Sequence, residues 1–355
     1  MALWDIGDAD TSNLQVWLDS SDASTITQEG TTEDDDDYGT SNVVSAWVDK
    51  SSNAHEFGWI PLGAYKTTYT EINVGPLSGT SAIKFGGVDG SQRKESFLTS
   101  SVTPASGAGA RTVFTVVDRL ETHRPADSHN WRTMWGWGST SGDRDGKSSY
   151  ALMSDNAAVP AAYDSYFIGY HYNEFYPNAG HREINTEPQM TICEYDGTVD
   201  RFYYRCESSP STNTKALDTG TSNKLILGGS SFLDGGTDYF LLEMIIYDSV
   251  LAEEDRVKVE GYLAHKWGFQ SDLPSDHTWK NSAPTSGDDP FPYTDSVPQG
   301  KRFSNIQVDN QMSQLATQYK RGKNQEGYVP FRLSVRGPSN LRLRSPTKVY
   351  KVTKE

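Results

Sequence analysis

The chain has 355 residues, 35% hydrophobic and 12% aromatic, with Tyr (19) and Trp (9) prominent; that length allows two domains, or one large all-β domain with an appendage. A mean hydropathy of −0.63 and the lack of any apolar run of about 18 residues exclude a membrane-spanning helix. The net charge of −15 is divided: residues 299–355 carry 12 Lys and Arg against Asp309, Glu326 and Glu355, so a +9 segment follows a −24 body that repels nucleic acid at long range.

The first 300 residues read as short strands broken by Gly, Ser, Asp and Asn. Leu14-Gln15-Val16-Trp17-Leu18 alternates apolar and polar and stops at Asp19-Ser20-Ser21-Asp22. Val43–Val48 is followed by Asp49-Lys50-Ser51-Ser52-Asn53, and Ala82–Phe85 stops at Gly86-Gly87. Between the first two, Glu29–Tyr38, with its Asp34–Asp37 run, reads as a charged loop. Thr112–Val117, β-branched apart from Phe114, reads as a central strand. Further strands are predicted at Tyr166–Tyr170, Gln189–Tyr195, Arg201–Arg205, Lys224–Leu227 and Tyr239–Tyr247. Strands of this length with turn signals between them predict a two-sheet sandwich or a barrel.

Met190–Cys206 is the clearest hairpin, turning at Asp196-Gly197. Pairing Tyr195 with Arg201 sets Cys193 opposite Tyr203 and Cys206 opposite Met190, too far apart for a disulfide. Two free thiols are expected, and two cysteines also exclude a disulfide scaffold or a four-cysteine zinc site. Val259, Tyr262, Leu263, Lys266 and Trp267 form one helical face. Glu253, Glu254 and Asp255 occupy the first turn, where the dipole favours acids, and Gly268 is placed to stop the helix.

Leu273–His277 and Ser282–Pro284 then leave the domain as an irregular strap. This gives residues 1–285 as the body and 286–298 as a linker rich in Pro, Asp, Ser and Gly. Residues 299–355 form a basic segment with a short helix on Val308, Met312, Leu315, Ala316 and Tyr319, then strands. Phe331 and Leu333 alternate with Arg332, and Arg336, Arg342 and Arg344 form a polar edge. Some 57 residues bury little core alone, so this segment is expected to dock on an acidic protein surface through these residues rather than on nucleic acid.

Three blocks resemble the concanavalin A-like lectin/laminin-G superfamily, in the subgroup common in bacteriophage virion proteins and large bacterial surface proteins. They are Leu14–Ile26, then Trp47-Val48-Asp49-Lys50-Ser51-Ser52-Asn53, and then Glu243–Asp248 with Glu260–Gly268 and Leu273–His277. Tyr195-Asp196-Gly197 followed by Arg201-Phe202-Tyr203 is similar to that family's hairpin. The resemblance covers residues 13–285 and implies an all-β, two-sheet antiparallel jelly-roll sandwich with one late helix. It leaves the ligand open, because such a fold hosts lectins, hydrolases and structural modules.

Candidate chemistry is sparse. The superfamily's hydrolases carry Glu-x-Asp-x-Glu on one strand; no such run occurs here, and Glu194-Tyr195-Asp196 sits at a hairpin turn. Asp19, Asp22 and Asp49 lie in turns and are weak calcium candidates, with Asx-turns as the alternative. The Asp34–Asp37 run and Asp143, Asp145 and Gly146 lack EF-hand spacing, and no His-x₃-His pair suggests zinc. Gly228-Gly229-Ser230-Ser231 lacks the Walker lysine.

Aromatic density points to sugar binding. Trp131, Tyr163, His171, Tyr172 and Tyr176 are the glycan-binding candidates, whereas Trp135, Trp137, Tyr166, Ile168 and Tyr170 read equally well as core. The first residues, Met1-Ala2-Leu3-Trp4-Asp5, lack the basic and apolar regions of a signal peptide. The expectation is a non-enzymatic virion surface protein of a tailed phage, assembled in the host cytoplasm. It would be multimeric on the particle, anchored to capsid or tail proteins through residues 299–355, and either decorate the shell or bind a host glycan. A free carbohydrate-binding module, a glycoside hydrolase-like lectin domain or an adhesin fragment is the alternative.

Overall fold

The computed structural model describes Ile6 and residues 12–34, 39–59, 67–72, 77–86, 88–89, 92–93, 98–119, 131–139, 147–155, 165–170, 174–176, 188–229, 239–285, 327–328 and 351–352. Two compact units are distinguished, Met1–Pro290 and Phe291–Glu355.

The first unit begins with strands β1 (Leu14–Asp19), β2 (Ile26–Asp34), β3 (Gly39–Val48), β4 (Glu56–Trp59), β5 (Thr68–Glu71), β6 (Ser81–Phe85), β7 (Val88–Asp89), β8 (Gln92–Arg93) and β9 (Leu98–Thr99). Then come β10 (Arg111–Arg119), β11 (Trp131–Gly138), β12 (Ser149–Asp155), β13 (Ser165–Gly169), β14 (Gln189–Tyr195), β15 (Val199–Tyr204), β16 (Ser211–Thr214), β17 (Asn223–Leu227) and β18 (Tyr239–Tyr247), followed by helix α1 (Glu253–Lys266). Hydrogen-bonded neighbours run β13-β12-β11-β17-β9-β4-β3-β5-β6-β18-β10-β14-β15-β16, with β1 on β18 and β2 on β3. The two ends of this path face each other. Tyr166 of β13 lies 6.0 Å from Tyr204 of β15, ring to ring, and the apolar residues between them form one core. This is the antiparallel two-sheet sandwich with one late helix expected from the sequence.

A second core lies on the outer side of β1, β10, β14 and β18, beneath α1 and the strap after it. Strand β10 serves both cores by simple alternation: Val113 and Val117 enter the inter-sheet core, Phe114 and Val116 the outer one. Strand β18 is buried along its whole length. Its phase breaks at Leu242, where pairing with β10 jumps from Glu243 opposite Val116 to Leu241 opposite Val117. The bulge lets Leu241 and Met244 both point inward.

Helix α1 carries its three acids in the first turn. It ends where Gly268 takes φ +79, so that the Phe269 amide donates back to the Ala264 carbonyl at 2.9 Å. That six-to-one closure is a Schellman stop.

Two expectations are corrected. Glu29–Asp34 belongs to strand β2, paired with β3 from Ile26↔Trp47 to Asp34↔Gly39, because a backbone ladder accepts a polar run. Residues 35–38 lie outside the described residues. In the β14–β15 hairpin Tyr195 faces Asp200, not Arg201, and Cys193 faces Phe202. The cause is the turn. Gly197 adopts φ +101 and the Asp196 carboxylate accepts from the Thr198 and Val199 amides at 2.9 and 2.8 Å, which shortens the loop by one residue. Both thiols are free, as expected.

In the second unit the described residues are β19 (Gly327–Tyr328) and β20 (Lys351–Val352), which pair antiparallel. Phe331, Arg332, Leu333, Arg336, Arg342 and Arg344 lie outside the described residues, in the stretch between these strands.

Candidate functional site

The three sequence blocks converge under α1. Glu243, 1% exposed, receives four donors. The Trp17 indole (2.9 Å) and the Tyr262 hydroxyl (3.1 Å) reach Oε1. The Lys266 ammonium (2.7 Å) and the Trp267 indole (2.8 Å) reach Oε2. Lys266 also pairs with Asp19 at 2.7 Å, and Lys50 pairs with Asp19 at 2.9 Å and Asp22 at 3.3 Å while its ammonium stands 4.2 Å from the Trp17 ring centroid. Burial pushes the Glu243 carboxyl above its ordinary range despite Lys266. Asp19 moves the other way: burial raises it, but Lys266, Ser21 and Lys50 together bring it below the usual range.

Asp19, Asp22 and Asp49, the calcium candidates, are therefore placed close together in the fold but turned to other partners. Asp19 and Asp22 share the Lys50 ammonium. Asp49 accepts from the Ser51 amide at 2.7 Å and from the His55 amide, so it caps its own turn. Among the described residues no three His, Cys, Asp or Glu side chains gather as a metal-ligand set.

A second network, not anticipated from the sequence, crosses the inter-sheet core. Asp200 of β15 is fully buried and accepts from the Tyr150 hydroxyl at 2.9 Å and the Tyr170 hydroxyl at 2.5 Å. Burial pushes its carboxyl up to about 7, against the hydrogen bonds from Tyr170 and Tyr150 and the charge of Arg111. Arg111, also fully buried, stands 4.8 Å from the Tyr150 ring centroid and 5.3 Å from that of Tyr195, and donates to the Gly109 carbonyl at 2.7 Å and to Thr219 Oγ1 at 3.0 Å. A lone Asp within Val199–Tyr204 was the available signal.

The acids at the hairpin turn are tied as well. Glu194 and Asp196 both pair with Arg201, at 3.1 and 2.7 Å.

Of the aromatic candidates, Trp131 and Tyr176 lie at the β11–β12–β13 end of the path. Trp131 begins β11 and is paired with Asp155, itself opposite Ser165 of β13. Tyr163, His171 and Tyr172 lie outside the described residues. Phe175 bridges Ile168 on β13, which sets the following Tyr176 along that edge, 41% exposed. The residues read as core are core. Trp135 and Trp137 are stacked at 5.6 Å and donate to Thr115 Oγ1 at 2.9 Å and the Ala105 carbonyl at 2.8 Å, and Tyr166, Ile168 and Tyr170 are buried.

No protein-family model and no curated protein matches the chain. Among solved structures it is similar to a GH54 α-L-arabinofuranosidase soaked with a cyclic sulfate inhibitor (TM-score 0.43, 12% identity, 62% of this chain and 50% of that one). It is also similar to a mutant of Trypanosoma rangeli sialidase displaying trans-sialidase activity (TM-score 0.39, 12% identity, 68% and 32%). A third is the receptor binding domain of botulinum neurotoxin D (TM-score 0.39, 14% identity, 72% and 53%). The chain thus spans about half of the first and third and about a third of the second.

Proposed function

We propose that the chain is a non-enzymatic, saccharide-binding sandwich carried on the surface of a tailed-phage particle, with residues 299–355 docking it to capsid or tail proteins. The observation that carries the binding part is Tyr176. Among the described residues it and Val250 are the exposed large hydrophobic side chains, and Tyr176 alone of the two offers a ring. A sugar stacks its C–H face on such a ring while neighbouring polar groups take the hydroxyls. Trp131 begins β11 at the same end of the strand path.

A binding rather than hydrolytic role is supported by how the acids are used. Glycoside hydrolysis needs two carboxyl groups about 5–9.5 Å apart flanking an open bond-cleavage site. Here Glu243, Asp19 and Asp200 are enclosed by their own donors, while Glu194 and the exposed Asp196 are both paired with Arg201. The particle part draws on the resemblance of the sequence blocks and on the division of charge between a −24 body and a +9 segment.

The test is a glycan array probed with the full chain. Binding to at least one saccharide, weakened on Tyr176→Ala in a protein that melts like wild type, is the expected result. A folded chain that binds no saccharide contradicts the reading.

A further inference from the structure

We infer that a cleft beside the β15–β16 turn is a second saccharide site, selective for neutral sugars and independent of the Tyr176 edge. The inference rests on the saccharide-binding reading and adds a place and a ligand class to it. The cleft is open to solvent, with about 480 Å³ of space between its walls, a volume within the range of small-ligand sites. One wall is the loop carrying Arg205, Glu207, Ser209 and Pro210; the other is the strap with Asp272 and Pro274.

The turn at its mouth breaks a local rule. The Glu207 amide donates to the Tyr204 carbonyl at 3.1 Å, and both central residues are left-handed, Arg205 at φ 47 and Cys206 at φ 63. This type I′ geometry is ordinarily supplied by Asn-Gly or Gly-Gly. Among the described residues the one other non-glycine with positive φ is Ala54. Strained positions of this kind gather where a site is held in shape.

The side chains that keep the strain explain it. Cys206 is 2% exposed and packs into the outer core, fixing the loop from below. The Arg205 guanidinium reaches across to Asp272, Nε to Oδ2 3.4 Å, and so ties one wall to the other. A glycine turn would relieve the backbone and leave the walls unconnected. The strap is held in turn by the Lys280 ammonium on the Ser271 carbonyl at 2.6 Å.

The lining fits a polyol. Carboxylates accept only, a guanidinium donates only, and serine hydroxyls do both. Together they match sugar hydroxyls, each of which donates and accepts. Pro210 and Pro274 supply apolar surface for a ring face. Glu207 and Asp272 are balanced by Arg205 and by Lys280, whose ammonium lies on the Ser271 carbonyl of the strap, so the cleft has no excess positive charge with which to select uronate- or sialate-bearing sugars.

The experiment uses the full chain on an array of neutral hexose, deoxyhexose and N-acetylhexosamine oligosaccharides and their uronate- and sialate-capped counterparts, followed by titration with the best neutral binder. Ser209 is exposed, so Ser209→Trp fills the cleft without disturbing the core. In the Tyr176→Ala background, Ser209→Trp is expected to weaken the remaining neutral-sugar binding about tenfold or more, the scale of one lost ligand-contacting surface. If Tyr176→Ala alone abolishes binding, or Ser209→Trp leaves it unchanged, the cleft proposal falls and the broader reading stands. Binding confined to acid-capped sugars overturns the proposed selectivity. If wild type binds nothing on the array, both fall.

Discussion

The Trp267 indole donates to the Glu243 carboxylate at 2.8 Å, joining the last turn of α1 to the strand at the centre of the outer layer. The bulge at Leu242 brings Glu243 to this position, and Trp17 donates to the same carboxylate from β1. Removing this buried carboxylate leaves two indoles without their acceptor and the Lys266 ammonium with Asp19 as its one remaining acid partner among the described residues. Glu243→Ala should lower unfolding free energy by about 3–5 kcal/mol. Glu243→Gln, which keeps one acceptor, should cost less. Urea denaturation followed by tryptophan fluorescence gives both values; an Ala variant within about 1 kcal/mol of wild type would remove the hub from the account.

Asp200 gives the fold a pH dependence with a definite sign. Its folded value of about 7 lies above the ordinary 3.8, so the folded state holds the proton more tightly. Its contribution is complete below about pH 3.8 and is lost as pH rises through about 7. Asp200→Asn cannot titrate. Stability of wild type relative to Asp200→Asn should therefore fall between about pH 4 and pH 8 by an amount on the order of 2–4 kcal/mol. Glu243, shifted in the same direction, is common to both proteins and cancels. Urea midpoints across that range measure the difference, and parallel curves would contradict it.

Gly261 lies where α1 meets the strap. A Cβ there would stand 2.4 Å from the Trp279 Cβ and 2.6 Å from its Cγ. Gly261→Ala gains helix propensity of up to about 1 kcal/mol but must displace Trp279, whose carbonyl also contacts the His265 ring at 2.7 Å. Overpacking of this kind costs about 1–3 kcal/mol, so the net effect should be destabilising. A variant with a raised melting temperature would show that the strap yields freely.

Cys193 and Cys206 occupy different cores, and burial pushes both thiols well above their ordinary range. Neither should react with a thiol reagent in the native protein, and both should react once it is unfolded. Rapid labelling of either thiol in native buffer would contradict the packing.

Much of this fold was legible because its signals are local. Thr112–Val117 is β-branched at every position but Phe114, and Val259, Tyr262, Leu263 and Trp267 fall on one helical face; both segments form as predicted. What escaped depends on the third dimension. All nine residues of β18 are buried, so no alternation marks the bulge that positions Glu243. The β14–β15 register depended on whether Asp196 would cap its own turn, and a slip of one residue exchanges the faces. That slip is what conceals Asp200: in the true register it faces Tyr150 and Tyr170 across the inter-sheet core. The motif acids Asp19 and Asp22 were visible, but their lysine partners were not.

The most direct test of the central claim is co-sedimentation with intact phage particles from cells producing the protein, comparing the full chain with one ending at Pro298. The account predicts that the full chain travels with the particles and the shortened chain stays in the supernatant while keeping its saccharide binding. If neither chain travels with the particles, or both do, residues 299–355 are not the docking segment and the particle-borne reading is contradicted.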